Sequence, residues 1–151
     1  ILQKGHEADH VLYPALHLVA YTGARRGETL GLRWSDVDLE GGSITTNSSV
    51  IRTQDLGITI QPPKTAASQR KIDIDPDTVE ILRQHKIRQM EHRLIIGAAY
   101  EDNDLVFPDA FGKPLNPMGL TRAYKSLARW AGVPEGRLHS LRHFHASALF
   151  D

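Results

Sequence analysis

Hydrophobic and polar positions along this chain change period twice, marking a helical start, a β-rich middle and a helical end. Ala15, Leu16 and Val19 fall on one side of a predicted helix over residues 14–21, with Pro14 in its first turn and Gly23 placed to end it. A second short helix follows over about 25–33, through Glu28, Leu30 and Leu32, and Trp34 then leads into the acidic turn Ser35-Asp36-Val37-Asp38. Beyond Gly41-Gly42 the period shortens. Ile58 and Ile60 alternate with polar residues, as do Ile72 and Ile74, which is the pattern of half-buried strands. Three antiparallel strands are expected near 43–52, 57–62 and 70–75, the last two joined by a polar hairpin loop at 62–69.

The helical period returns at Asp75-Pro76-Asp77, where a capping acid, a proline and a first-turn acid open a long helix to about residue 96. Its apolar positions include Val79, Leu82, Met90 and Leu94. Leu105-Val106-Phe107 predicts a short strand and Gly112-Lys113-Pro114 a turn. Asn116-Pro117 opens a further helix carrying Leu120, Tyr124, Leu127 and Ala131, closed by Gly132 and followed by Pro134. A last helix is expected from about 138 onward, with Leu141, Phe144 and Ala148 facing inward. These elements predict one α+β domain, mainly helical, with a small three-stranded antiparallel sheet on one edge.

Composition adds little until charge is mapped. The 151 residues are 40% hydrophobic and 24% charged, an ordinary balance for a globular domain. No apolar run approaches the ~18 residues a membrane span needs, and the polar start (Gln3, Lys4, His6, Glu7, Asp9) does not resemble a signal peptide. The absence of cysteine excludes disulfides and thiolate metal sites. Net charge is zero, yet residues 113–143 carry Lys113, Arg122, Lys125, Arg129, Arg137 and Arg142 against Glu135 alone. Residues 101–109 carry Glu101, Asp102, Asp104 and Asp109 without a cation. One face can therefore be basic while the whole is neutral.

Candidate chemistry lies in four places. His139 and Arg142 are three apart, one turn on a helix face, a pairing suited to gripping a phosphate and moving protons beside it. Arg25 follows a helix break and can aim its guanidinium at an anion beside free backbone N–H groups, with Glu28 three residues on to hold it. Arg25 and Glu28 also fit a plain surface ion pair. Lys64 sits on a loop from which an ammonium can swing. His139 and His143 have a spacing able to chelate a metal, but carboxylates are scarce nearby. The string His6-Glu7-Ala8-Asp9-His10 spells a zinc-peptidase signature. It lies in a polar segment, however, and Tyr13 and Leu16 stand where the extended motif needs glycine and a third histidine.

Taken in order, the motifs are more specific than any one of them. The string Thr22-Gly23-Ala24-Arg25-Arg26-Gly27-Glu28-Thr29-Leu30-Gly31-Leu32-Arg33-Trp34-Ser35-Asp36-Val37-Asp38 resembles the first box of the tyrosine recombinase (phage integrase) catalytic domain. Pro63-Lys64-Thr65 with Ser68-Gln69-Arg70-Lys71 resembles that family's lysine hairpin, and His139-Ser140-Leu141-Arg142-His143 the opening of its second box. The resemblance covers nearly the whole chain.

The resemblance implies DNA strand cleavage by a tyrosine, through a 3′-phosphotyrosyl link and a free 5′-hydroxyl, with no metal or other cofactor. Arg25 and Arg142 would stabilise charge building on the phosphate. Lys64 would protonate the leaving 5′-oxygen, and His139 would exchange a proton near the nucleophile. Glu28 and His143 would support the site, and Arg122, Lys125 and Arg129 would contact DNA. It further implies double-stranded DNA as partner, a tetramer on DNA for the full-length parent, no membrane, and a cytoplasmic, nucleoid-associated location.

The family's nucleophilic tyrosine comes after the second box, whereas the tyrosines here, Tyr13, Tyr21, Tyr100 and Tyr124, all precede His139. Tyr21 is assigned to packing. The chain is therefore expected to be a monomeric catalytic fragment, lacking the N-terminal core-binding domain and the terminal His/Trp and Tyr segment, and inactive alone for cleavage. A DNA-binding or regulatory fragment without catalysis is the main alternative, the related type IB topoisomerases share the chemistry, and a zinc peptidase at residues 6–10 is a distant one.

Overall fold

The computed structural model describes residues 2–7, 11–63, 65–133 and 135–140. In chain order they form α1 (Leu2–Glu7), α2 (Tyr13–Thr22), α3 (Arg26–Leu30), a 3-10 turn at Trp34–Asp36, β1 (Val37–Asp38), β2 (Ser43–Thr46), β3 (Ser49–Thr53), β4 (Gly57–Gln61), β5 (Arg70–Asp73), α4 (Pro76–Ile96) and α5 (Pro117–Trp130). The α+β, mainly helical class is as expected.

α2 is the centre of the domain. Residues 14–20 are all buried, so the expected stripe of Ala15, Leu16 and Val19 widens to take in Leu18 and Ala20. A helix apolar on nearly every side has to be covered on every side. Its polar exception, His17, places Nε2 2.9 Å from Thr78 Oγ1. Gly23 ends the helix in the left-handed region (φ 69°), its N–H donating to Val19 O. Around α2, Leu30, Ile44, Leu82, Val106, Phe107, Leu120 and Tyr124 close a single core.

The β region departs from expectation. The strand expected over 43–52 is broken at Asn47-Ser48 into β2 and β3, and the two halves have different partners. β2 pairs with β1 and β5, setting Ile44 opposite Val37 on one side and Ile72 on the other. β3 pairs with β4, setting Val50 opposite Ile60. The three-stranded sheet is thus β1-β2-β5, and β3-β4 is a separate hairpin. β4 and β5 are not paired, so residues 62–69 cross between sheets instead of closing a hairpin. Side chains cause the break: Ser48 Oγ donates to Gly31 O at 2.8 Å, and Asn47 Oδ1 accepts from Gln69 Nε2 at 2.9 Å.

α4 starts as predicted, with Asp75 Oδ1 accepting from Thr78 N at 2.7 Å and Pro76 in the first turn. Its apolar stripe, however, reaches the core only early: Leu82 is buried, while Met90 is 59% and Leu94 83% exposed. Past Leu82 the packed face is polar. His85 Nε2 donates to Val106 O, Gln89 Nε2 to Leu105 O, and His92 Nε2 meets Ala110 O. Segment 105–110 is irregular backbone whose carbonyls need donors, and a polar helix face supplies them. Burial holds the His85 imidazole below its usual range, so it packs neutral with its proton on Nε2. Leu105-Val106-Phe107 is buried but makes only a bridge to Arg33, with Val106 N–H donating to Leu32 O, in place of the expected strand.

α5 opens on Asn116, whose Oδ1 accepts from Met118 N, and buries Leu120, Tyr124 and Leu127 as its spacing requires. Helical backbone resumes at 138–140, and the expected inward positions Leu141, Phe144 and Ala148 lie outside the described residues. Among the described residues no helix is long and apolar enough to cross a membrane.

Candidate functional site

The site is built outward from α3, which lies flush on β3. Gly27 and Gly31, one turn apart, face the strand: ideal Cβ atoms would stand 2.8 Å from Val50 O and 2.8 Å from Ser48 O respectively. Bare backbone on that face of α3 allows this close approach. It leaves Arg25, the extended residue just before α3, exposed at the end of the helix.

Glu28 is buried (8% exposed) and carries two bonds. Its Oε1 accepts the backbone N–H of Arg25 at 2.9 Å, and its Oε2 accepts Nη1 of Arg70 at 2.8 Å. This corrects the expectation that Glu28 steadies the Arg25 guanidinium beside free N–H groups. The carboxylate instead takes the Arg25 main chain, and its ion pair is with Arg70 of β5. Burial pushes the Glu28 carboxyl up, but the hydrogen bonds from Arg70 and Arg25 and their charges outweigh it, holding the carboxyl below its ordinary value. A carboxyl depressed in the folded state contributes stability that is complete above its unfolded value, about 4.3, and fades as pH falls through the folded one. Acid melting followed against pH is therefore expected to fall off more steeply in the parent than in Glu28→Gln over that window. Parallel curves would remove Glu28 from the acid response.

Arg25 stands between two cavities. One, of about 450 Å³, is lined by Arg25, Arg26, Lys125, Arg137 and His139, with Val19, Thr121 and Leu138 completing its wall. Four permanent cations and an imidazole thus share one cleft between α3, α5 and segment 137–139. Arg26 is fixed there by Nη1 donating to Thr121 Oγ1 at 2.8 Å. The other cavity, about 200 Å³, runs from Arg25 and Glu28 past Thr46, Ser48 and Ser49 to Pro62, Pro63 and Ser68, at the edge of the segment that carries Lys64.

Of the residues singled out in the sequence, the fold brings Arg25, Lys125 and His139 to one cleft, with Glu28 directly behind Arg25. Arg122 and Arg129 are exposed on the same face of α5 as Lys125 but do not line the cleft. Lys64, Arg142 and His143 lie outside the described residues, as does His10; of His6 and Glu7 only the backbone is described. Arg26, Arg70 and Arg137 were not singled out. Arg26 and Arg70 lie inside the quoted motifs and Arg137 just before one, but only the fold shows what they face.

The tyrosines are placed elsewhere. Tyr124 is core, Tyr13 places its hydroxyl 3.4 Å from His17 Nδ1, and Tyr100 accepts from Gln89. Tyr21 stacks on His17 with ring centroids 4.2 Å apart, the packing role expected of it, although it is 43% exposed. Among the described residues, no tyrosine lines either cavity beside Arg25.

The chain is similar to known proteins in sequence and in fold. Residues 2–151 match the family model described as the phage integrase family. A protein named tyrosine recombinase XerC-like from Caldanaerobacter subterraneus subsp. tengcongensis is 32% identical over 98% of this chain and 40% of its own length. An integrase of Staphylococcus phage L54a is 30% identical over 89% of this chain and 39% of its own. The chain thus spans well under half of these relatives. In fold it is similar to the Tn1549 transposon integrase solved with transposon right end DNA (TM-score 0.76, 19% identity, 91% of this chain and 45% of that one). It is similar also to XerA recombinase (TM-score 0.73, 21% identity, 99% and 45%).

Proposed function

The chain belongs to the phage integrase family, and from that membership we propose that its Arg25 cleft grips a phosphodiester of duplex DNA as part of a site-specific recombinase acting in the cytoplasm on nucleoid DNA. The observation that carries this is the convergence of Arg25, Arg26, Lys125, Arg137 and His139 on one cleft. Guanidinium forks match phosphate oxygens bidentately and remain charged at every working pH. Their hold strengthens as charge builds on a phosphorus under attack. His139, at the cleft wall, is the proton carrier, while Arg122 and Arg129 on the outer face of α5 extend the grip to neighbouring phosphates. Arg142 as second guanidinium, Lys64 as the acid for the leaving 5′-oxygen and His143 as support complete the scheme. Relatives named integrase and a fold neighbour solved with DNA support it.

The chemistry is transfer of the 3′-phosphate to a tyrosine hydroxyl, and a tetramer of the full-length parent would perform it on DNA. Because no tyrosine among the described residues lines the cavities beside Arg25, the 151-residue chain, as a monomer, binds without cutting. The test is one titration on duplex DNA between about 50 and 200 mM salt, with each sample also run under denaturing conditions. Affinity is expected to fall steeply with salt, Arg25→Ala to reduce the log–log slope by about one, and no denaturation-resistant adduct to form. Salt-insensitive binding, or an adduct, would overturn the respective half of the proposal.

A further inference from the structure

We propose that Arg70 is a positioning residue of the phosphate-binding site, acting through Glu28 on Arg25 while tying the segment that contains Lys64 to the same carboxylate. This rests on the phosphate-binding reading above. One atom, Arg70 Nη1, reaches three elements: Glu28 Oε2 on α3 at 2.8 Å, Thr46 Oγ1 on β2 at 3.4 Å and Ser68 O in the crossing segment at 3.4 Å. Thr46 repeats the link, its Oγ1 donating to Ser68 O at 3.0 Å and accepting from Arg70 N at 3.2 Å. Glu28 in turn fixes the main chain of Arg25. Arg70 therefore connects the two sides of the smaller cavity, the α3 side through Glu28 and the 62–69 side through Ser68.

A surface ion pair would do none of this. The Glu28 side chain is 10% exposed and that of Arg70 38%, so the contact is shielded on the carboxylate side and wet on the other. A buried carboxylate that lost its guanidinium would look for another donor, and Arg25, whose main chain Glu28 already holds, is the other cation whose charge acts on it. Without Arg70, the Arg25 guanidinium is therefore drawn back toward Glu28 and away from the cleft. Arg70 thus keeps Arg25 available for phosphate by occupying Glu28 itself. Lysine at this position keeps the charge on a stem one bond shorter than the arginine's, so it reaches Glu28 only in part.

The test is a double-mutant cycle on duplex-DNA affinity and its salt slope, with thermal melting of every variant. Arg70→Ala is expected to weaken binding about tenfold and to lower the salt slope by about one, as Arg25→Ala does, since a phosphate contact is lost in both. The double variant is expected to bind like either single one, because both remove the same contact. Arg70→Lys, which retains the ion pair in part, is expected to fall between Arg70→Ala and the parent, and it carries the test if Arg70→Ala does not fold. Additive losses would make Arg70 a direct DNA contact, and lower melting with unchanged affinity and slope would make it structural; either overturns the proposal. If Arg25→Ala itself leaves the slope unchanged, the phosphate-binding reading fails and this inference with it. If only Arg70 is without effect, the inference alone fails.

Discussion

Replacing Gly31 by alanine is expected to cost about 3 kcal/mol, the upper end of what an added methyl does in a packed contact, and to weaken DNA binding at the same time. The new Cβ would lie 2.8 Å from Ser48 O, 2.9 Å from Ser48 C and 3.0 Å from Ser49 Cα, all main-chain atoms that cannot rotate aside. Gly31 has an ordinary φ of −85°, so the penalty is steric and owes nothing to backbone strain. Relief requires α3 to lift from β3, which stretches the Ser48 bond to Gly31 O and carries Glu28 and Arg25 with it. In a chain of this size the melting midpoint should fall by roughly 6–12 °C. Affinity should fall even at temperatures well below melting. Gly27→Ala should act in the same direction but less: Ser49 Oγ at 2.5 Å is the end of a side chain that can turn away, which leaves one main-chain clash, Val50 O at 2.8 Å, where Gly31 meets three main-chain atoms. A Gly31→Ala protein that melts and binds like the parent would show that α3 does not need its close seat on the strand.

Phe107→Ala is expected to cost still more stability, about 3–5 kcal/mol, with the opposite functional signature. Phe107 is 1% exposed in the core cluster, its ring 4.9 Å from that of His85. Removing it opens a void where α4 meets segment 105–110 and loosens the carbonyl contacts that His85 and Gln89 make there. Phe107 lines neither cavity at Arg25, so DNA affinity measured on the folded variant in the cold should match the parent. Calorimetry or circular dichroism checks the first half and the salt titration the second. Loss of affinity in a fully folded Phe107→Ala protein would mean that the core transmits shape to the cleft.

These two residues also mark how far the sequence could be read. Helix starts and stops were legible because their causes are local: Asp75 caps its own first turn, Asn116 does the same, and Gly23 ends α2 with a bond to Val19. The break at Asn47-Ser48 was not, because its cause, the carbonyl of Gly31, is far away in sequence. The outward turn of Met90 and Leu94 was hidden for a related reason. Periodicity reports that α4 has an apolar stripe, but not that irregular carbonyls elsewhere will claim the polar one beside it. At the site, ordered motifs brought out Arg25 and His139 and the basic run brought out Lys125, and the fold gathers all three. The partner of Glu28 stayed out of reach because Arg70 is 42 residues away, on β5.

The interruption at Asn47-Ser48 bears on how such a domain can change over generations. Because, among the described residues, β3 and β4 pair only with each other, the turn at 54–56 stands at the free end of a lever, with Leu56 70% exposed. Lengthening that turn strains no strand of the β1-β2-β5 sheet, and each doubling of a flexible loop costs only about 0.6 kcal/mol. Insertions and deletions among proteins of this architecture are therefore expected to collect at the hairpin tip, while 37–46 and 70–73 keep their length. The arm becomes the part of the domain free to acquire new reach while the grip behind it stays the same.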